Sequence, residues 1–194
     1  MKILICGIGA IGSNLTNCLV PDLKGKQEVT VLDMDKVEER NFTAGTQRYT
    51  AEQVGLSKVE ALQFNIFKWY EREIKILQKD IMDMDFNTIK EYDLIIDCFD
   101  NFRARNRLQS FAQRVDKPVL HVGFSDQFTF AIEWSDNYKV PTDITTGMDI
   151  CEMPGAAAFA TCVGSLAALV AECYVDEKEK MEILGGKYEH RIVK

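Results

Sequence analysis

A glycine-rich turn close to the N-terminus is the feature that most constrains the fold. The apolar run at residues 2–6 reads as a buried strand, and the sequence GIGAIG follows it at once from Gly7 to Gly12. Glycines between a strand and a helix let the backbone approach a phosphate, and the positive end of the helix favours negative charge. A secretory signal would have no use for glycines at this spacing. The turn therefore predicts that the chain binds a nucleotide.

Strand-like and helix-like patterns alternate along the rest of the chain. With 194 residues, the chain is long enough for one domain with a full core. We therefore predict an α/β fold over residues 1–194: a Rossmann-like, doubly wound, mostly parallel sheet with helices on both faces. Residues 135–150 are expected to form a mobile or functional loop, and residues 176–194 a C-terminal tail. The predicted strands are 2–6, 28–32, 73–77, 94–98, 118–122 and 128–134, and the predicted helices are 11–20, 58–69, 87–92 and 102–115.

A second apolar run, at residues 155–171, carries no charged side chain. It falls short of the roughly 20 residues that a membrane-spanning helix needs. Its many Ala, Gly, Ser and Thr residues suit a helix that lies close to a sheet or to a partner subunit. We therefore predict a buried helix here and no association with a membrane.

Charge and cysteine content narrow the partners and the compartment. The formal net charge is -7, from 23 Lys plus Arg against 30 Asp plus Glu, and there is no dense basic run, so nucleic acid is excluded as a first choice of partner. An anionic nucleotide must then be met by a few placed cations, backbone dipoles and a metal ion. The 6 cysteines form no C-x-x-C pair and have no zinc-like histidine spacing. Reduced thiols and a cytoplasmic location are expected.

Polar residues follow several of the predicted strands. Asp33 and Asp35 end the second strand, and residues 97–101 end the fourth. In a doubly wound sheet the ligand lies at the carboxyl ends of the strands, so these residues and Gly7 are expected to converge. An NAD(P)-dependent oxidoreductase is one interpretation, because Asp33 follows the glycine turn as it does in such enzymes. The chain has no evident Tyr-Lys or His-Asp pair for hydride transfer.

Four segments, in this order, resemble the ThiF/MoeB/HesA family, the bacterial relatives of ubiquitin-activating enzymes. The resemblance covers the chain from Lys2 to about Val175. It implies that ATP and Mg²⁺ are used to adenylate the C-terminal carboxylate of a ubiquitin-like or sulfur-carrier protein that ends in Gly-Gly, with release of pyrophosphate. It also implies a homodimer. The four segments are GIGAIGS, VLDMDKVEERNF, VGLSKVEAL and DLIIDCFDNFRARNRL.

The resemblance also implies roles for individual residues. Asp33 would accept the ribose hydroxyls, and Lys58 would neutralise phosphate charge unless it is a solvated surface lysine. Asp100 would hold Mg²⁺ through one carboxylate, or would cap the helix that follows it, or both. Asn41 would contact phosphate or ribose, or would cap a loop. The nucleotide-binding set implied in this way is Gly7, Gly9, Ile11, Gly12, Asp33, Asp35, Asn41, Lys58 and Asp100.

The chain departs from the family where relatives carry an arginine three residues after the asparagine. Ala44 stands there, so either Arg48 supplies the cation from a shifted loop or the chain is a non-catalytic partner subunit. Cys151 precedes Gly155 by four residues, a pattern that in some relatives marks thiol transfer to the carrier; otherwise it is an ordinary loop cysteine. The candidate catalytic residues are Lys58, Asp100, Arg48 and Cys151.

Overall fold

Five parallel strands form the N-terminal part of one continuous sheet. The computed structural model describes residues 1–142, 153–186 and 190–193. The apolar runs predicted as strands fold as such, because each alternates its side chains between two covered faces. The parallel strands are β1 (Lys2–Cys6), β2 (Glu28–Leu32), β3 (Lys75–Leu77), β4 (Leu94–Asp97) and β5 (Val119–Phe124).

The C-terminal part of the sheet is antiparallel. β6 (Thr129–Trp134), β7 (Glu182–Gly186) and β8 (His190–Val193) follow β5, so the sheet order is β3-β2-β1-β4-β5-β6-β7-β8. Residues 176–194 were expected to form a tail, but β7 and β8 extend the sheet instead. β6 begins at Thr129, one residue later than predicted, because Phe128 has a left-handed backbone with φ of 55°.

Helices cover both faces of the sheet, which confirms the predicted Rossmann-like architecture. Along β1, Ile3 and Ile5 pack in the core beneath α1, α3 and α6, whereas Leu4 and Cys6 pack in the core beneath α4 and α5. The strand period of two divides the apolar residues between the two layers. The helices are α1 (Ala10–Asp22), α2 (Glu39–Thr43), α3 (Lys58–Tyr70), α4 (Phe86–Ile89), α5 (Phe102–Val115) and α6 (Ala156–Glu177).

The apolar run at residues 155–171 lies in α6, which packs along α1. By length and composition α6 is the one helix among the described residues that is able to cross a membrane. Its buried face meets α1, and at Gly164 the backbones approach so closely that an added Cβ would lie 2.6 Å from the Cβ of Asn14. Small residues therefore allow α1 and α6 to approach closely. The composition predicted such close packing, but against a sheet or a partner subunit. Leu169 lies on the opposite, exposed face.

We predict that Gly164→Ala destabilises the fold by about 2 kcal/mol, because the overpacked methyl group outweighs the gain in helix propensity. Chemical denaturation followed by circular dichroism measures the change. Leu169→Ala, on the exposed face of the same helix, is the control and should change stability by no more than about 0.5 kcal/mol. Equal stability of Gly164→Ala and the unaltered chain would show that α1 and α6 are not so tightly packed.

Candidate functional site

A cleft of about 1180 Å³ opens at the carboxyl ends of the parallel strands and continues over β5 and β6. Its volume exceeds the ~300–1,000 Å³ that is usual for small-molecule sites. Among the described residues, six cationic and six acidic side chains line it, so these residues give the cleft no net formal charge, although the net charge of the chain is -7. The cations are Arg40, Lys58, Lys79, Arg103, Arg105 and Lys139, and the acids are Asp33, Asp35, Asp80, Asp100, Asp126 and Glu133.

The three glycines of the turn face different surroundings. Gly7 has φ of +80°, and a Cβ there would lie 3.0 Å from Phe99. A Cβ on Gly12 would lie 2.0 Å from the carbonyl oxygen of Gly7. The fold itself therefore requires Gly7 and Gly12. A Cβ on Gly9 would meet nothing within 4 Å among the described residues, so no steric contact requires glycine here, and the position lies open at the cleft that Gly9 lines.

Gly9 is also the residue before α1, whose first turn leaves backbone N–H groups without intrahelical acceptors. Ala10 and Ile11, the first two residues of that helix, line the cleft beside it. The N–H groups and the helix dipole together favour an anion at this position. The sequence predicted a phosphate site at this turn, and that role stays a prediction.

Two buried side chains hold the turn from behind. The Ile8 N–H donates to Asp33 Oδ2 at 2.6 Å, and the Tyr49 hydroxyl donates to the carbonyl oxygen of Ile8 at 2.6 Å. Burial raises the pKa of Asp33, while Lys58 and the N–H groups of Asp35 and Ile8 oppose that shift. Burial raises the pKa of Tyr49 as well, so its hydroxyl keeps its proton. Nothing in the sequence marked Tyr49 as part of this site.

Lys58 is directed into the cleft rather than into solvent. It is the first residue of α3, and its side chain is only 10% exposed. Its Nζ lies 3.0 Å from Asp35 Oδ2, while the Lys58 N–H donates to the carbonyl oxygen of Asp35 at 2.9 Å. Ser57 caps the helix by accepting from the N–H of Glu60, which fixes where α3 begins. Asp35 thus holds the ammonium group beside the glycine turn.

Asn41 caps a helix, whereas the carboxylate of Asp100 has no partner among the described residues. Asn41 Oδ1 accepts from the N–H of Glu38 at 2.7 Å, so it caps α2 while it also lines the cleft. The cap of α5 is Asn101, whose Oδ1 accepts from the N–H of Ala104 at 2.9 Å. Asp100 is therefore not the capping residue. It is exposed, lines the cleft, and has no hydrogen bond or ion pair among the described residues.

This donor set fits a magnesium ion that arrives with a triphosphate. Among the described residues no group of three His, Cys, Asp or Glu side chains is placed to hold a metal by itself. One carboxylate is what Mg²⁺ takes from a protein when phosphate oxygens and waters complete its octahedron. Asp100, which follows β4, is a cleft carboxylate that is available to such an ion.

Arg48 does not join the residues that line the cleft. Its Nη2 donates to Thr161 Oγ1 at 3.3 Å, and its N–H donates to Ser13 Oγ at 3.2 Å, which places it behind α1 against α6. Its Nε is buried without a hydrogen-bond partner. Arg40, which directly precedes Asn41, lines the cleft instead. As the replacement for the family arginine, Arg48 is not supported by its position.

Cys151 lies outside the described residues, so its predicted role in thiol transfer stays a prediction. Of the residues predicted to bind the nucleotide, all eight besides Gly12 line the cleft. Gly12 lies beneath the turn.

A buried polar network lies beneath the β4 and β5 ends of the cleft. It was not predicted from the sequence. His121 Nδ1 lies 2.7 Å from Asp97 Oδ2, and both side chains are fully buried. The imidazole ring stacks on Tyr138 at 3.8 Å. The hydroxyl of Tyr138 accepts from Arg105 Nη1 at 3.0 Å, and both residues line the cleft. The network therefore joins the β4 turn to the segment after β6.

Gln109 fixes how many protons the Asp97–His121 pair carries. Its Nε2 donates to the carbonyl oxygens of Ser135 and Tyr138, so its Oε1 faces His121 Nε2 at 3.1 Å. Nε2 must then carry a proton. A second proton lies between Nδ1 and Oδ2, because two acceptors do not approach to 2.7 Å without one. Burial lowers the pKa of His121, and the hydrogen bond to Asp97 opposes that shift.

We predict that His121→Phe destabilises the protein by about 3 kcal/mol, because it keeps the stacking on Tyr138 but removes the hydrogen-bond partner of the buried Asp97 Oδ2. Urea unfolding measures the loss. His121→Asn, which keeps a donor for Asp97, should cost clearly less. A loss below about 1 kcal/mol for His121→Phe would mean that Asp97 needs no partner.

Comparison with known proteins agrees with this geometry. A sequence profile of the ThiF family matches residues 1–189. SUMO-activating enzyme subunit 2 of Dictyostelium discoideum is 27% identical over 125 residues, which are 63% of this chain and 18% of the relative. Ubiquitin-like modifier-activating enzyme 5 of Aedes aegypti is 28% identical over 140 residues, which are 64% of this chain and 34% of that protein.

Solved structures share the fold over nearly the whole chain. E. coli MccB with MccA-N7isoASN superposes with a TM-score of 0.74 at 17% identity, over 99% of this chain and 63% of that one. E. coli MccB with ATP superposes with a TM-score of 0.72 at 17% identity, over 99% of this chain and 62% of that one. The chain thus spans about a fifth to a third of the two curated relatives and under two thirds of these structures.

Proposed function

The chain belongs to the ThiF family, and from this premise we propose that it is an ATP-dependent adenylyltransferase that activates the C-terminal carboxylate of a ubiquitin-like or sulfur-carrier protein. The observation that carries the proposal is Gly9. Because it has no side chain, it leaves an open space, here called the phosphate cradle, at the start of α1, and no described residue fills that space. A phosphate at a helix N-terminus has the size and charge for that cradle. E. coli MccB, a structural neighbour, has been solved with ATP.

The reaction joins the carrier carboxylate to the α-phosphorus of ATP. A carboxylate oxygen forms the new P–O bond while the bond to the β-phosphate oxygen breaks, so the products are an acyl-adenylate and pyrophosphate. No nucleophile of the enzyme is needed, and the protein acts by alignment and by stabilising charge. In this proposal the α1 N–H groups and Lys58 would bind the phosphates and Asp33 would bind the ribose hydroxyls, since all of these groups line the cleft. Mg²⁺ held by Asp100 would neutralise charge on the triphosphate.

The cleft continues over the sheet, which gives room for the carrier tail. The face of β5 and β6 away from α6 presents Gly123, Ala131 and Thr129 to the cleft. These small side chains leave a shallow floor that an extended Gly-Gly tail fits, because such a tail brings little bulk. The tail would enter from β6 and place its carboxylate next to the glycine turn.

The first experiment measures carrier-dependent ATP–pyrophosphate exchange with Mg²⁺, across a panel of small proteins that end in Gly-Gly. We expect exchange with at least one carrier, and its loss in Lys58→Ala with the fold intact. Binding of ATP and NADH by calorimetry separates the oxidoreductase alternative. Tight NADH binding without ATP binding would reject the proposal, and so would the absence of exchange together with the absence of ATP binding.

We predict that Gly9→Ala weakens ATP binding by at least about tenfold, or 1.4 kcal/mol, because its methyl group fills the phosphate cradle. The stability of Gly9→Ala is measured beside its ATP affinity, because the ψ of -143° at Gly9 lies outside the usual β and α regions. Gly12→Ala is the matched control with the opposite outcome: it should cost about 3 kcal/mol of stability, because its Cβ meets the backbone of Gly7. Unchanged ATP affinity in Gly9→Ala would contradict the phosphate site.

A non-catalytic partner subunit is the second candidate. The position of Arg48 favours it, because the cation expected to replace the arginine absent at Ala44 binds Thr161 instead of facing the cleft. Such a subunit would bind ATP yet show no exchange alone. In the parent organism, Lys58→Ala would then leave the biological output unchanged. Loss of that output with the fold intact favours the catalytic role.

We further propose that the chain works as a homodimer in the cytoplasm. The small side chains on the exposed face of α6, among them Ala158 and Ser165, give a surface for a second copy. The described cysteines are all free, which suits a reducing compartment. A monomeric mass by light scattering at micromolar concentration would contradict the dimer.

A further inference from the structure

A second groove, of about 310 Å³, runs along the outer face of α5 beside the cleft. Arg103, Arg107 and Arg114 lie on it four and seven residues apart, so they share one face of the helix. The helix rise separates the first and last of them by about 16 Å. Arg103 lines both the groove and the cleft. The remaining lining residues are Met82, Phe86, Phe102, Asn106 and Ser110.

None of these three arginines forms an ion pair with a carboxylate among the described residues. The chain has seven more acidic than basic side chains, from 30 against 23, so carboxylates are plentiful on its surface. A cluster of cations without acidic partners is therefore a local reversal of the overall charge. An anionic group is attracted here although the rest of the surface repels it.

The guanidinium groups are held in place before any ligand binds. Arg107 lies over the ring of Phe86 at 4.1 Å, and Arg114 lies over the same ring at 5.3 Å. Arg107 Nη2 donates to the carbonyl oxygen of Met84 at 2.8 Å. Stacked, hydrogen-bonded arginines lose little conformational entropy on binding a carboxylate, which their planar fork matches in geometry.

Arg107 also has a donor that the fold leaves unused. Its Nε is buried and has no hydrogen-bond partner. A buried N–H without an acceptor costs free energy, so it calls for an explanation in a native structure. The Nε itself is covered, so an oxyanion in the groove would meet the exposed part of the Arg107 side chain rather than this atom. Beside it, the ring of Phe102 is 39% exposed and offers an apolar contact to a neighbouring side chain.

We infer that this groove binds an acidic segment of the carrier protein, with Asp or Glu side chains paired to Arg107 and Arg114 while the carrier's C-terminus occupies the adjoining cleft. The 16 Å span corresponds to about five residues of extended chain. A long nucleic acid is the weaker choice, because it would extend past the groove onto a surface of net negative charge. That the partner is the carrier rests on the proposed function, whereas binding of an acidic segment does not.

The test measures fluorescence anisotropy of a labelled hexaglutamate peptide with the full chain and without ATP. We expect saturable binding that weakens at least about tenfold in Arg107→Ala/Arg114→Ala. Lys26→Ala/Lys68→Ala removes the same charge elsewhere on the surface, and should bind as the unaltered chain does. Arg107→Lys, which keeps the charge without the fork, should be intermediate.

Equal weakening by both double variants would overturn the inference, because only the net charge would then matter. Tighter binding of a labelled decauridylate would reassign the groove to nucleic acid. Full competition by equimolar inorganic phosphate would reassign the groove to a small anion. Either result would reject the inference. Lys58→Ala should bind the peptide normally. Failure of ATP–pyrophosphate exchange in the unaltered chain would therefore affect the proposed function and leave the peptide result intact.

Discussion

The hydrogen bond from the Ile8 N–H to the buried carboxylate of Asp33 is the contact on which the site depends. It ties the end of β1 to the end of β2 and orients the glycine turn, so that the start of α1 opens onto the cleft. Tyr49 holds the next peptide group, between Ile8 and Gly9, through the carbonyl oxygen of Ile8. Because the donor of one peptide group and the acceptor of the next are both occupied, neither group can rotate without leaving a buried polar atom unpaired, a cost of about 1–3 kcal/mol. The turn is therefore preorganised for its ligand.

Local pairing, rather than net charge, governs which anions the chain attracts. The described residues give the cleft no net formal charge, because its cations and acids are equal in number among them, and Lys58 is held by Asp35. The groove on α5 is different, because its arginines have no acidic partner. A phosphate in the cleft must compete with Asp35 for Lys58, whereas a carboxylate in the groove displaces only water. The two surfaces thus suit different anions, and Arg103 lies where they meet.

Periodicity predicted the strands and helices, and the glycine spacing predicted the turn, because these features leave local signals. The roles of Lys58 and Asp100 came from the resemblance to the family. Contacts between distant residues leave no such signals. Tyr49 reaches Ile8 across 41 residues, and His121 reaches Asp97 across 24, so neither role was visible in sequence. Arg48 was proposed as a replacement, from a shifted loop, for the arginine absent at Ala44, but its side chain binds Thr161, because the sequence does not determine which way a loop side chain points. The extension of the sheet by β7 was missed for the same reason, since its partner β6 is distant in the chain.

The buried Asp97–His121 pair connects the two halves of the proposed reaction. Asp97 Oδ1 accepts from the N–H of Phe99 at 3.0 Å and so shapes the turn that carries Asp100. His121 stacks on Tyr138, which lines the part of the cleft proposed for the carrier tail. Burial alone would lower the pKa of Arg105, but Asp97 and Tyr138 raise it above its ordinary value, so the guanidinium stays charged beneath both halves. A rigid, charged floor of this kind keeps the triphosphate turn and the tail-binding surface at a fixed separation, as in-line attack on the α-phosphorus requires.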